Sequence, residues 1–204
     1  MTELAVLQAV RLKGRVRPVE LAATLNADLA DIADTIGRLT EAGLLIDGTA
    51  LRISPDGRAR LDTLLRHERA GIDHEAMLAV YHDFRAINDD FKSLVTDWQV
   101  HGGPQGRPNT HDDAEYDAAV LSRLDRVHAR VLPLIEAAAA QLPRLGGYAV
   151  KLRAALDNIK AGDTAWLTRP LVDSYHTVWF ELHEELIVAV GLTRADAAKS
   201  DGAQ

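Results

Sequence analysis

The chain has 204 residues, 47% of them hydrophobic, a composition that fits one large globular domain or two small ones. It holds no cysteine, which excludes disulfides, thiolate zinc sites and cysteine nucleophiles. Its formal charge of −7 is uneven: up to Arg66 there are nine basic and nine acidic side chains, and from His67 onward fourteen and twenty-one, so any DNA contact has to come from the neutral first part.

Residues 3–13 predict a helix, with Leu4, Val6, Leu7 and Val10 as its apolar stripe. Arg15 to Arg17 form a short extended piece, and Pro18 opens a second helix through Leu25. After the turn at residues 26–28, with Asp28 as N-cap, a third helix runs over 29–42 with Ile32, Ile36 and Leu39 inward, and Gly43 ends it. Leu44 to Ile46 and Ala50 to Ile53 predict a hairpin turning at Asp47-Gly48. A further helix starts at Ser54-Pro55-Asp56.

The run LTEAGLL from Leu39 to Leu45 and the run ISPDGRARL from Ile53 to Leu61 carry a resemblance to the winged helix of MarR-type regulators. It covers roughly the first third of the chain and implies three helices, a short β-hairpin wing and a role in holding DNA. In such a module the third helix enters the major groove and the wing touches phosphate or the minor groove. The residues expected to make those contacts are Thr35 and Arg38 on the third helix, Arg52 on the wing, and Arg15 and Arg17. Arg11, Lys13, Arg58 and Arg60 add positive charge, whereas Asp28, Asp31, Asp34 and Glu41 lie on the same outer face and repel phosphate.

From Asp73 to Leu192 the pattern is all-helical. Met77, Tyr81, Phe84, Asn88, Phe91, Val95 and Trp98 alternate spacings of four and three, an unbroken heptad stripe. The run HGGPQGRPNTH from His101 to His111 predicts an irregular segment, a surface excursion or a mobile flap. A helix over 113–141 follows, with Asp112 and Asp113 at its N-terminus, Leu121, Leu124, His128, Val131 and Ile135 on its seam, and Pro133 as a kink site. A shorter helix over 148–161 turns Ala149, Leu152, Leu156 and Ile159 inward. Pro170 is expected to open the last helix, 170–190, with Val172, Tyr175, Trp179, Leu182 and Leu186 inward. Amphipathic helices on short links predict a four-helix bundle. TDWQ from Thr96 to Gln99 and DSYHTVWFELHEE from Asp173 to Glu185 resemble a segment associated with actinobacterial phosphoenolpyruvate-utilising (pyruvate phosphate dikinase-like) proteins. The phosphohistidine loop of that family is absent, so this resemblance implies an accessory or regulatory part.

Asn88 and His128 are polar residues on apolar seams and need partners. Three readings stand: core polar groups that fix helix register, a metal site built on Asp125/His128 and Asp173/His176, or a ligand pocket. The metal reading lacks the glutamates of di-iron bundles, and no metal or cofactor is expected. The pocket would be lined by Tyr81, Phe84, Asn88, His128, Tyr175, His176 and Trp179. No nucleophile elbow, phosphate loop or dinucleotide fingerprint is present, so no catalytic residue and no enzyme activity is expected. His67-Glu68, His74-Glu75 and His183-Glu184-Glu185 read as solvated helix faces.

The expected fold class is therefore mainly α: a winged helix over 1–66, a four-helix bundle over 67–192 and a flexible tail over 193–204. The expected function is transcriptional regulation: a homodimer binds DNA, and the bundle dimerises or senses a small-molecule effector. The alternative is an adaptor that partners a phosphoenolpyruvate-utilising enzyme. No apolar run reaches the roughly 18 residues of a membrane span. With no signal-peptide layout at the start, a cytoplasmic location and no membrane partner are expected.

Overall fold

The computed structural model describes residues 1–103, 105–193 and 196. The chain is mainly helical and divides into two compact units, Met1–Ile72 with His183–Gln204, and Asp73–Leu182. The boundary expected at residues 66 and 67 falls inside a helix. The tail expected over 193–204 lies, apart from Thr193 and Asp196, outside the described residues.

In the first unit α1 (Glu3–Lys13) starts behind Thr2, whose hydroxyl accepts from Ala5 N at 3.3 Å. Arg15 lies in a bend rather than the extended piece expected, and Val16 bridges Leu51 through backbone hydrogen bonds of 3.2 and 2.8 Å. α2 (Pro18–Thr24) has its proline in the first turn, where no N–H is missed. α3 (Leu29–Glu41) follows Asp28, which holds the N-cap position without a side-chain hydrogen bond. β1 (Leu45–Ile46) and β2 (Arg52–Ile53) pair antiparallel, with Leu45 opposite Ile53 and Ile46 opposite Arg52. That register leaves 47–51 outside the ladder, so the connection is wider than the tight turn expected at Asp47-Gly48.

α4 (Pro55–Arg69) begins at a tight joint. Ser54 Oγ accepts from Gly57 N at 2.9 Å and donates to Gly43 O at 2.6 Å, while Ser54 N donates to Leu44 O at 3.1 Å. One serine thus caps α4 and ties it to the end of α3. The core of this unit is apolar and continuous: Val6, Leu7, Val10, Val16, Leu21, Ile32, Leu39, Leu45, Leu51, Ile53, Leu61 and Leu65 are buried.

The second unit is a helical bundle. α5 (His74–Gln99) buries all seven residues of its heptad stripe and adds Val80, Ile87 and Leu94, a second row seven residues apart. Burying three positions per heptad gives the broad apolar face of a bundle helix rather than a narrow coiled-coil seam. α6 (Ala114–Gln141) runs antiparallel to α5, because Arg123 pairs with Asp97 and Arg130 with Asp90. It passes through Pro133 unbroken. Val120 and Val127 share its seam, and Leu121 is only half-buried. α7 (Gly147–Lys160) follows a 3₁₀ turn at Pro143–Gly146 and pairs Lys160 with Asp125 at 2.7 Å.

Two expectations fail in this unit. The excursion after α5 is not irregular: β3 (Val100–His101) pairs with β4 (Arg107–Pro108) in a hairpin. Its glycines permit this, since Gly102 and Gly103 sit at φ +90° and +84°. Nor does Pro170 open the last helix. Leu171 turns at φ +64°, and α8 (Tyr175–Ala189) begins after Ser174, whose Oγ accepts from Thr177 N at 3.4 Å. A hydroxyl cap thus starts the helix, not the proline. No described helix is long and apolar enough to cross a membrane.

Candidate functional site

The expected nucleic-acid residues separate into an exposed set and an occupied set. Val16 bridges Leu51 in antiparallel sense, and the next residue, Arg52, is opposite Ile46. Val16, Leu51, Ile53 and Leu45 turn into the core, while Arg15, Arg52 and Ile46 are exposed. Side chains alternate across a strand, so Ile46 and Arg52 share the outer face of the hairpin, and Arg15 lies in the bend just before the Val16–Leu51 bridge. Neither arginine makes an ion pair with a described residue. Arg58 is also exposed, at the start of α4.

Arg17 is exposed but occupied. Its Nε donates to Glu20 Oε1 at 2.9 Å, and its backbone N donates to Glu20 Oε2 at 3.0 Å. The side-chain hydrogen bond from Arg17, followed by that from its backbone N–H, holds the Glu20 carboxyl below its ordinary range. Arg60 likewise grips Glu3, at 2.8 and 2.9 Å. Arg11 is mostly covered: its Nε donates to Gln8 Oε1 at 3.0 Å and its Nη1 lies 3.8 Å from Glu184.

On α3 the structure corrects one position. Thr35 is buried, not outward, and its hydroxyl donates to Met1 O at 3.4 Å and accepts from Arg38 Nη2 at 3.3 Å. The reason is angular: three residues after Ile32 and four before Leu39, it lies about one turn from each and falls on their side of the helix. Arg38 is exposed, together with Asp31, Asp34 and Glu41. Leu29 at the helix start is also exposed.

In the second unit the seven residues of the expected pocket mostly pack on one another. Trp179 Nε1 donates to Asn88 Oδ1 at 3.0 Å, and His128 Nδ1 shares a hydrogen bond with Tyr175 Oη at 3.1 Å. The Trp179 ring lies 5.1 Å from Phe84 and 4.4 Å from Phe91. Burial, reinforced by Arg153 and Lys160, pushes the His128 pKa below its ordinary value, so the imidazole is held neutral. Burial pushes the Tyr175 phenol up. Each polar seam residue therefore has a partner on α8. His176 does not join them: it is exposed, with its ring 6.1 Å from Phe91. A shallow groove of about 340 Å³ opens elsewhere, lined by His82, Asp83, Ala86, Ile87, Arg130 and Leu134, and none of the seven lines it.

The Asp-x-x-His pairs do not converge. Asp125 pairs with Lys160 at 2.7 Å, and Asp173 lies 3.5 Å from Lys151. Among the described residues no group of three or more His, Asp or Glu is placed to hold a metal ion. The face at residues 183–185, expected to be solvated, is not: Glu185 is buried and His183 and Glu184 are half-buried. The apolar run from Leu186 to Val190 draws this end of the helix inward.

The sequence reading missed one cluster, at the hairpin. Asp117 accepts from Asn109 Nδ2 at 2.9 Å on one oxygen and lies 2.9 Å from His111 Nδ1 on the other. The second Asn109 N–H donates to Trp98 O at 3.1 Å, so His111 is the donor to Asp117. Trp98 packs over His111 with ring centres 4.4 Å apart, and His101 stacks on Tyr116 at 4.1 Å. The Asn-x-His spacing was the available signal, because an asparagine side chain bonds the backbone two residues on. His111 N does donate to Asn109 Oδ1, at 3.1 Å.

No protein-family model, curated protein or solved structure matches this chain.

Proposed function

We propose that residues 1–72 form a winged helix of the MarR-like kind that binds DNA, and that the chain is a transcriptional regulator whose bundle dimerises or takes a small effector. The observation that carries this reading is that Arg15 and Arg52, which flank the Val16–Leu51 bridge, are both exposed and make no ion pair with a described residue. Two guanidinium groups without acidic partners repel each other, and a phosphate that meets both removes that cost. The element order supports it: three helices, a two-stranded hairpin and a fourth helix. In this reading Arg15, Arg52 and Arg58 meet the backbone, and Arg38 is the one basic side chain of α3 that reaches a base edge. Thr35, being buried, does not.

Selection from a random DNA pool at two salt concentrations tests the proposal. A specific site is enriched, and its affinity falls steeply with salt. Arg38→Ala loses about 1–3 kcal/mol and relaxes sequence preference, whereas Arg15→Ala and Arg52→Ala weaken all sequences alike and each lower the salt slope by about 1. No enrichment at low salt defeats the reading.

One observation favours a second reading. Asp31, Asp34 and Glu41 are exposed on α3 and make no ion pair with a described residue. An acidic outer face suits docking to a basic protein surface, as in an adaptor of a phosphoenolpyruvate-utilising enzyme. That reading predicts a stable protein complex that survives Arg38→Ala.

A further inference from the structure

Within the second unit, the two long helices are laced by ion pairs at a regular interval. α5 carries a carboxylate at every seventh residue, Asp83, Asp90 and Asp97, and so along one line of the helix. α6 meets two of the three: Arg123 pairs with Asp97, and Arg130 with Asp90. Seven residues are close to two turns, so the same antiparallel register sets Asp83 across from Ala137. Both residues are exposed, and the alanine has no charge to offer. Among the described residues, the Asp83 carboxylate has only His82 of its own helix beside it, with Nδ1 at 3.6 Å. The groove of about 340 Å³ opens at this unfilled third rung. Ala86, Ile87 and Leu134 give it apolar lining beside Asp83, and Asp90 already meets the charge of Arg130. Helical side chains lean toward the N-terminus, so an arginine at 137 would lie over Leu134 and enter the groove.

We propose that this groove is a docking site for an arginine side chain of a partner protein, which completes the third rung. Its guanidinium meets the Asp83 carboxylate, and its alkyl stem lies against Ala86, Ile87 and Leu134. The two filled rungs argue for arginine: a planar fork matches a carboxylate, and the stem covers apolar surface. The shallowness of the groove argues for a protein side chain over a free small molecule. A side chain enters while its backbone stays outside, whereas a site for a free ligand encloses most of it. The proposal goes beyond the DNA reading and does not rest on it, since its test uses no DNA.

Titration of the full chain, followed by NMR amide shifts, provides the test. The probe is arginine blocked as its N-acetyl methylamide. Its control is citrulline blocked in the same way, which keeps the stem and replaces the guanidinium with a neutral urea. The arginine probe should shift amides at 82–87 and 130–134 and bind about 2- to 5-fold more tightly than citrulline, the worth of an exposed carboxylate–guanidinium pair. Added salt should narrow that difference. Asp83→Asn should erase it. Ala137→Arg should abolish binding, because the chain then fills its own groove. Both substitutions are at exposed positions, so the fold is not at stake. Equal affinity for the two probes, parental affinity in Asp83→Asn, or saturating shifts confined to other residues overturns the proposal. Tighter binding of free butylguanidinium than of blocked arginine overturns the assignment to a protein side chain.

Discussion

Replacing Gly57 with alanine adds one methyl group at the joint where α4 leaves the hairpin. A Cβ there lies 2.1 Å from Leu44 O and 2.9 Å from Ile53 Cγ1. The first of these is backbone, and that same carbonyl accepts from Ser54 N at 3.1 Å. The methyl therefore fits only if α4 moves away from the end of α3, and the movement strains the Ser54 cap, which bonds Gly57 N and Gly43 O. Overpacking of this kind costs about 1–3 kcal/mol. Weakening the cap costs about 1 kcal/mol more. The helix gains about 0.5–1 kcal/mol from alanine over glycine. The net loss is about 1–3 kcal/mol, or a fall in Tm of roughly 3–10 °C. Gly37, inside α3 with nothing within 4 Å of its Cβ position, is the matched control. There the same substitution gains about 0.5–1 kcal/mol, because no clash offsets the helix term. Urea denaturation followed by circular dichroism reads both. If Gly57→Ala is as stable as the parent while Gly37→Ala rises as stated, the close approach to Leu44 does not constrain this joint and the packing argument is wrong.

Three further outcomes are expected. Asn88→Ala leaves the buried Trp179 Nε1–H without its acceptor and lowers stability by about 1–3 kcal/mol, read in the same denaturation experiment. His128 has a folded-state pKa below its unfolded value near 6.5, so the unfolded chain binds the extra proton first. Its contribution is present above about pH 6.5 and is lost as pH falls toward the lowered value; urea midpoints at pH 7.5 and 5 should differ by less in His128→Gln than in the parent. Mixing Arg15→Ala and Arg52→Ala in one chain should reduce DNA affinity, and a wild-type salt slope in that double variant removes the two arginines from the interface.

The α5 stripe was fully legible because its period fixes its face: seven residues spaced four and three are all buried. The polar residues on the seams were legible as needing partners, and the structure supplies Trp179 to Asn88 and Tyr175 to His128. What period cannot give is angle to within one residue. Thr35 and His176 each flank an apolar row, and they fell on the opposite side from the one expected. Helix starts failed where two signals competed. Pro170 and Ser174 both mark an N-terminus, and only the hydroxyl, which supplies an acceptor to a free backbone N–H, makes the cap. The hairpin after α5 escaped because its cohesion comes from Asn109, His111 and Asp117, whose contacts lie in tertiary geometry and leave no hydrophobic alternation behind.

Leu171 is 98% exposed at a φ of +64°, a leucine that packs against nothing in a backbone shape leucine disfavours. The chain around it has no thiol. A cysteine placed at this position is thus the sole reactive sulfur in the protein, on a residue whose removal disturbs no core. It offers a clean attachment point for a spin label or fluorophore, through which movements near the start of α8 become directly observable.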